Sequence, residues 1–197
     1  VSLISFIPPP RVDYSAADTS RFNIIDGAGL PVGFVDFTTE FKYLGSILHH
    51  SLTSDADVDK RIKSATAAFG ALKNIFTNRH IDLKVKGRIY VALCLSILLY
   101  GCEVWCLRSD LLARLRRFHH RCARTMCRIT IAHTIRHHIS TDSLLKRLGV
   151  EPLDTYYHRR LLRWAGHVSR MPLTRAPRKL LTGWVEHPRS IGCPQMA

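Results

Sequence analysis

Apolar residues fall at helical intervals along several stretches of this chain and at strand-like density along one. Val58, Ile62, Ala65, Phe69, Leu72 and Phe76 alternate four- and three-residue steps, which puts them on one face of a helix with 3.6 residues per turn. Ser54 precedes this stripe as a candidate N-cap, and Asp55, Asp57 and Asp59 crowd the first turn, where the helix dipole favours negative charge. The three carboxylates do not read as a calcium loop, because Lys60 stands where that loop needs Gly, and they are assigned to capping. A second helix is predicted to start at Asp82 and to carry Leu83, Ile89, Leu93, Ile97 and Tyr100. From 89 to 102 it has 14 consecutive uncharged residues, so it is expected to be enclosed by the others. A third, capped by Ser109 or Asp110, carries Leu111, Leu115, Phe118, Cys122, Met126 and Ile129 on one face.

Upstream, 22–26 and 33–48 read as strands around a turn at 27–31, with Val32, Phe34, Phe37, Phe41, Tyr43 and Leu44 supplying aromatic and branched bulk. The spacing of Gly27, Gly29 and Gly33 is not a dinucleotide-binding fingerprint, and Pro31 stands where a phosphate-binding helix would begin. Downstream, Leu153, Tyr157, Leu161, Trp164, Val168 and Met171 repeat at helical spacing. Pro172, Pro177, Pro188 and Pro194 then break the pattern. The predicted chain is mainly α. A short β-hairpin region occupies 1–50, a three-helix bundle 51–130, a helical segment with one further long helix 131–172, and a basic irregular tail 173–197.

Charge changes this picture. Residues 1–59 hold 3 Lys+Arg against 8 Asp+Glu, whereas residues 60–197 hold 26 against 7. A segment so basic repels itself when compact, and a polyanionic partner, nucleic acid first, is the simplest explanation of its composition. On the third helix Arg114, Arg117, Arg121, Arg124 and Arg128 recur at 3,4,3,4 spacing, a second stripe roughly 110° from the apolar one. No acid is interleaved, so salt bridging at i,i+4 does not account for them. Arg159, Arg163 and Arg170 repeat the arrangement on the later helix.

Other chemistry is less favoured. Cys102, Cys106 and His119, with Cys122 just beyond, match the first three positions of a zinc finger, but no His lies three to five residues past His119, and a zinc-stabilised DNA-binding module is kept only as an alternative. The cysteines (Cys94, Cys102, Cys106, Cys122, Cys127 and Cys193) read mostly as reduced thiols within or beside helices. His49, His50, His137, His138 and His167 have no paired acid or nucleophile nearby in sequence to make them acid–base catalysts. The longest uncharged run is shorter than the roughly 20 residues that span a bilayer, and no membrane partner is expected. No secretory leader is read at the N-terminus, and an intracellular protein is expected. The start at Val1 suggests a piece of something longer.

Four segments in this order resemble the region downstream of the catalytic motifs in reverse transcriptases of non-LTR (LINE-type) retrotransposons. They are FKYLGSIL at 41–48, AFGALKNIF at 68–76, LLYGCEVWCL at 98–107 with FHHRCARTMCRI at 118–129, and RLLRWAGHVSRM at 160–171. The last is the most specific and FKYLGSIL the next; together they cover about residues 20–185. The resemblance implies that Phe41, Tyr43, Leu44 and Gly45 form a primer-grip-like hairpin, that the following helices form a thumb, and that the whole is a fragment of an RNA-directed DNA polymerase. Its partners would be RNA or DNA duplex, met through phosphate contacts, and the remainder of the polymerase polypeptide. Nuclear access is expected from the family.

Polymerase chemistry needs clustered carboxylates on two metal ions, and the family carries two of them as an adjacent Asp pair. This chain has no adjacent acidic pair, and Asp13, Asp18, Asp26 and Asp36 fall in the hairpin region. No catalytic residue and no cofactor is therefore assigned; magnesium is expected only for the absent palm, and the chain is expected to be inactive alone. The family's upstream endonuclease has no counterpart here. A decayed relic without a selected role is the alternative reading.

Overall fold

A computed structural model of the protein describes residues 2–4, 21–25, 27 and 29–182. Asp13, Asp18, Asp26, Pro188, Cys193 and Pro194, and the end of the expected basic tail, lie outside the described residues. The described chain is mainly helical after an N-terminal β region.

β1 (Ser2–Ile4), β2 (Arg21–Ile25) and β3 (Pro31–Thr38) form one sheet in the order β1-β3-β2, with β1 parallel and β2 antiparallel to β3. The expected hairpin is thus present, but the strand expected over 33–48 is not continuous. It stops at Thr38, and β4 (Glu40–Tyr43) turns back into β5 (Ser46–His49) as a separate two-stranded sheet. Leu44 and Gly45 both have positive φ, 46° and 88°, the signature of a two-residue turn whose twist matches the strands it joins. Asn or Asp is the usual residue where Leu44 stands, so nothing in the sequence announces the turn.

α1 (Asp55–Ala71) and α2 (Lys73–Thr77) replace the single helix expected through Phe76. Leu72, with φ −95° and ψ 9°, interrupts it, and past the break Phe76 is fully buried and stacks on Phe69 at 4.5 Å. The Ser54 side chain does not cap α1; its Oγ accepts from the Cys106 N–H at 3.1 Å.

The central helix begins as expected: the Asp82 carboxylate accepts from the N–H groups of Lys84 and Val85 at 2.8 and 3.3 Å. α3 (Leu83–Ile89) then widens into a π-helical stretch, Tyr90–Leu95, before the last turn, α4 (Ser96–Leu98). The extra residue per turn rotates the inward face. Tyr90, Cys94, Leu95, Leu98 and Leu99 are buried, whereas Leu93 and Tyr100 are half exposed, so the helix is not enclosed all round as expected.

α5 (Ser109–Met126) buries Leu111, Leu115, Phe118, Cys122 and Met126, as its stripe predicts. Its N-cap is Arg108, not Ser109 or Asp110, and no side chain caps it there. Ile129 lies past the helix end and is half buried.

The segment 131–172 is not dominated by one helix. α6 (Ile131–Arg136) and α7 (Thr141–Leu148) precede α8 (Leu153–Ser169). α7 belongs to the core: Leu144, Leu145 and Leu148 are buried, and it packs on α3 and α5. At that crossing a Cβ on Gly87 would lie 2.0 Å from the Leu148 carbonyl oxygen, so only glycine permits the approach. The expected irregular tail contains α9 (Ala176–Thr182), whose Pro177 sits in the first turn, where its missing N–H costs no helical hydrogen bond. The chain divides into two compact units, residues 1–157 and 158–197, with the boundary inside α8.

Candidate nucleic-acid interface

Regular helical geometry over α5 sets the apolar and arginine stripes side by side, so burying the first fixes the direction of the second. Arg114, Arg117, Arg121 and Arg124 line one open hollow of about 650 Å³, together with Asp59, Ile62 and Lys63 of α1, Phe118 and His120 of α5, and Ile131 of α6. Arg121 and Arg124 are shared with an adjoining hollow of about 790 Å³ that also includes Arg128, Thr125, Ile129, Thr130 and Thr77. The arginines are therefore one wall of a groove, with an apolar floor contributed partly by Phe118 and Ile62.

The members of the stripe differ in what they touch. Arg114 forms an ion pair with Asp59 of α1. No carboxylate among the described residues pairs with Arg117, Arg121 or Arg124. Arg121 lies 5.5 Å from the Phe118 ring centroid and donates to the Thr66 hydroxyl at 3.4 Å. Arg128 is not on the helix: it follows the C-cap and adopts φ 58°, although it still reaches the second hollow. His120 is held below the ordinary imidazole pKa by burial and then by the Arg124 charge. Its share of positive charge is thereby reduced, and the guanidinium groups, Lys63 and the Asp59 carboxylate set the sign of the groove.

The three Asp residues of α1, assigned to capping from the sequence, are instead tie points. Asp57 is buried and accepts from the Trp105 indole N–H at 2.8 Å and the Ile47 N–H at 3.0 Å, with Arg61 Nε at 3.7 Å. Asp55 pairs with Arg108 at 3.1 Å, and Asp59 with Arg114. These carboxylates stand in no metal-binding group; among the described residues no three His, Cys, Asp or Glu side chains are so clustered. They do not fit the paired-carboxylate magnesium site of a polymerase, and no chemical step is derived from them.

The hairpin motif has a definite local geometry. The Gly45 carbonyl accepts from Lys60 Nζ at 2.5 Å and Arg61 Nη2 at 2.8 Å, while the Tyr100 hydroxyl donates to the Leu44 carbonyl at 3.2 Å. Arg61 also lies 4.4 Å from the Tyr100 ring centroid. Two cations and a phenol thus clamp the backbone of a turn whose own side chains face solvent: Tyr43 is 57 % and Leu44 75 % exposed, with Phe41 half buried. A left-handed Leu is strained, and this clamp is what holds it.

Arg159 and Arg163 lie exposed on α8, and Arg170 follows its last turn, also exposed. They belong to the second compact unit.

The sequence reading missed His119 as a core residue. It is fully buried, with Nδ1 2.9 Å from the Tyr90 hydroxyl and Nε2 3.2 Å from the Glu151 carbonyl, and burial pushes its pKa down to about 4. The neutral ring therefore donates from Nε2 and accepts at Nδ1. Burial raises the thiols of Cys94 and Cys122 to about 11 and about 12, which keeps them protonated and unreactive. Cys94, Cys102, Cys106, Cys122 and Cys127 are all free thiols, Cys106 alone of these exposed.

Among known proteins, the chain is 27 % identical over 136 residues to an uncharacterised transposon-derived protein of Caenorhabditis elegans. The match covers 69 % of this chain and 48 % of that relative, so the chain spans about half the relative's length. No protein-family profile and no solved structure matches the chain. No described helix is long and apolar enough to cross a membrane.

Proposed function

We propose that the chain is a nucleic-acid-binding fragment of a non-LTR retrotransposon reverse transcriptase, holding primer–template duplex for an active site supplied by other residues of the polymerase. One observation carries this reading: Arg117, Arg121 and Arg124 line a common groove, and no carboxylate among the described residues pairs with them. The similarity to a transposon-derived protein supports the element-related part of it. Guanidinium rows address phosphates rather than base edges, so RNA–DNA hybrid and duplex are bound with little sequence preference. The clamped β4–β5 turn presents Tyr43 and Leu44 as a rigid surface against which a primer end is positioned by shape.

The test is the salt dependence of hybrid binding. If the five stripe arginines all made phosphate contacts on B-DNA, they would contribute roughly −4.5 to the log–log slope. With Arg114 paired, the triple replacement of Arg117, Arg121 and Arg124 by Gln is expected to flatten the slope by about 2.7. An unchanged slope removes α5 from the interface. Primer extension by the chain alone would overturn the assignment of catalysis to other residues.

The transposon-derived relative also favours a second reading, a relic that folds and binds without a selected role. Genomic sequence upstream of the segment separates the two: an open frame encoding the Asp pair favours an element, and a stop codon a relic.

A further inference from the structure

Outside the arginine groove, the described residues bring a second set of ligand-type side chains together at the end of α6, where His137 is the C-cap and its N–H donates to the His133 carbonyl. His133 and His137 lie four residues apart, both exposed, with ring centroids 4.2 Å apart and planes tilted by 42°. Among the described residues no side-chain hydrogen bond or ion pair occupies either ring. His49 and His50 make an instructive contrast: their rings are 4.5 Å apart, but they are adjacent in sequence, and His49 Nδ1 is already engaged by the Ser51 hydroxyl at 2.6 Å.

We propose that His133 and His137 form a two-histidine site for a divalent transition ion of the zinc, nickel or copper type. Residues at i and i+4 stand one above the other on a helix, so two neutral imidazoles can direct nitrogen lone pairs at a common point about 2.0–2.1 Å from each. Imidazole ligands select these borderline ions over magnesium or calcium, which take oxygen. Water fills the remaining positions, since no third His, Cys, Asp or Glu of the described residues joins the pair.

The cation acts as a clamp. α6 has six residues, none of them buried, and a helix that short is marginal by itself. Bridging His133 to His137 ties its last turn. Ile131, two residues from His133 and hence roughly 200° around the helix, lines the arginine groove. The ion thus orders one wall of the groove from the opposite face without entering it; this last consequence rests on the proposed nucleic-acid role, whereas the metal site does not.

The experiment is a calorimetric titration of the tag-free full chain with Zn²⁺ and with Ni²⁺, repeated on His133→Ala, His137→Ala and, as control, His49→Ala. Both α6 rings are exposed, so the variants should fold, which circular dichroism checks. Loss of one of two ligands is expected to weaken one binding event on the order of tenfold or more in either α6 variant, with His49→Ala unchanged. Wild-type binding by both α6 variants overturns the site. Hybrid binding is measured alongside: a metal affinity lost in the α6 variants of a chain that binds no hybrid supports the site while removing the groove's proposed ligand.

Discussion

The first turn of α1 and the exposed side of α5 are both runs of like charge at short spacing, yet the fold treats them in opposite ways. Asp55, Asp57 and Asp59 are each taken up by partners from elsewhere in the chain, respectively Arg108, the Trp105 indole with the Ile47 amide, and Arg114. Arg117, Arg121 and Arg124 meet no carboxylate among the described residues. A run of charge in a sequence does not reveal whether it is structural or surplus, because the partners that decide come from distant segments. With 26 basic and 7 acidic residues in 60–197, the basic side is the one that must be left over, and α5 is where the surplus faces a groove.

The largest effect follows from breaking the structural side of this comparison at its most buried member. Asp57 is 2 % exposed, and Asp57→Ala leaves the Trp105 and Ile47 donors without their acceptor and the buried Arg61 without its ion-pair partner. Removing one member of such a buried set costs about 3–5 kcal/mol. Arg117→Ala, on the surplus side, should change stability by no more than about 0.5 kcal/mol. Urea denaturation of both variants measures the difference; equal losses would erase the distinction between the two runs.

A second effect belongs to the core that carries both elements. His119 has a folded pKa of about 4 against an ordinary 6.5, so the folded state binds this proton less readily than the unfolded chain does. Its contribution is complete above pH 6.5, is lost as pH falls from 6.5 through about 4, and changes no further below that. The shift corresponds to about 3 kcal/mol over this window. Unfolding free energies measured across it should show the slope in the wild type and lose it in His119→Gln.

How much of this was legible follows from where the information lies. The apolar and arginine stripes of α5 come from one uninterrupted helix, and periodicity alone orients them. The break at Leu72 is invisible because the 4,3 spacing runs on through it to Phe76, and the π-helical stretch is invisible because it rotates a face already apolar on most sides. α7 escaped notice since eight residues with Leu144, Leu145 and Leu148 are too few to establish a period, although Ser140 and Gly149 bracket it as N-cap and left-handed C-terminal stop. The groove was half legible: its arginines are periodic, but Asp59, Lys63 and Ile131 reach it through tertiary packing that no spacing encodes.

The smallest expected effect probes the one residue that stands on both sides of the comparison. Arg114 belongs to the arginine stripe, but Asp59 binds it, so its charge is already used. Arg114→Gln should therefore leave the salt dependence of hybrid binding nearly unchanged. Asp59→Asn releases the guanidinium at the rim of the same groove and should steepen the log–log slope by up to about 0.9, one further phosphate contact. Stability should move by no more than about 1 kcal/mol, since both partners are partly exposed. The reverse pattern, a slope lowered by Arg114→Gln and unaffected by Asp59→Asn, would mean that the ion pair opens when nucleic acid binds. Charge tied within the fold would then be as available to a ligand as charge left free, and pairing would no longer mark which arginines form the interface.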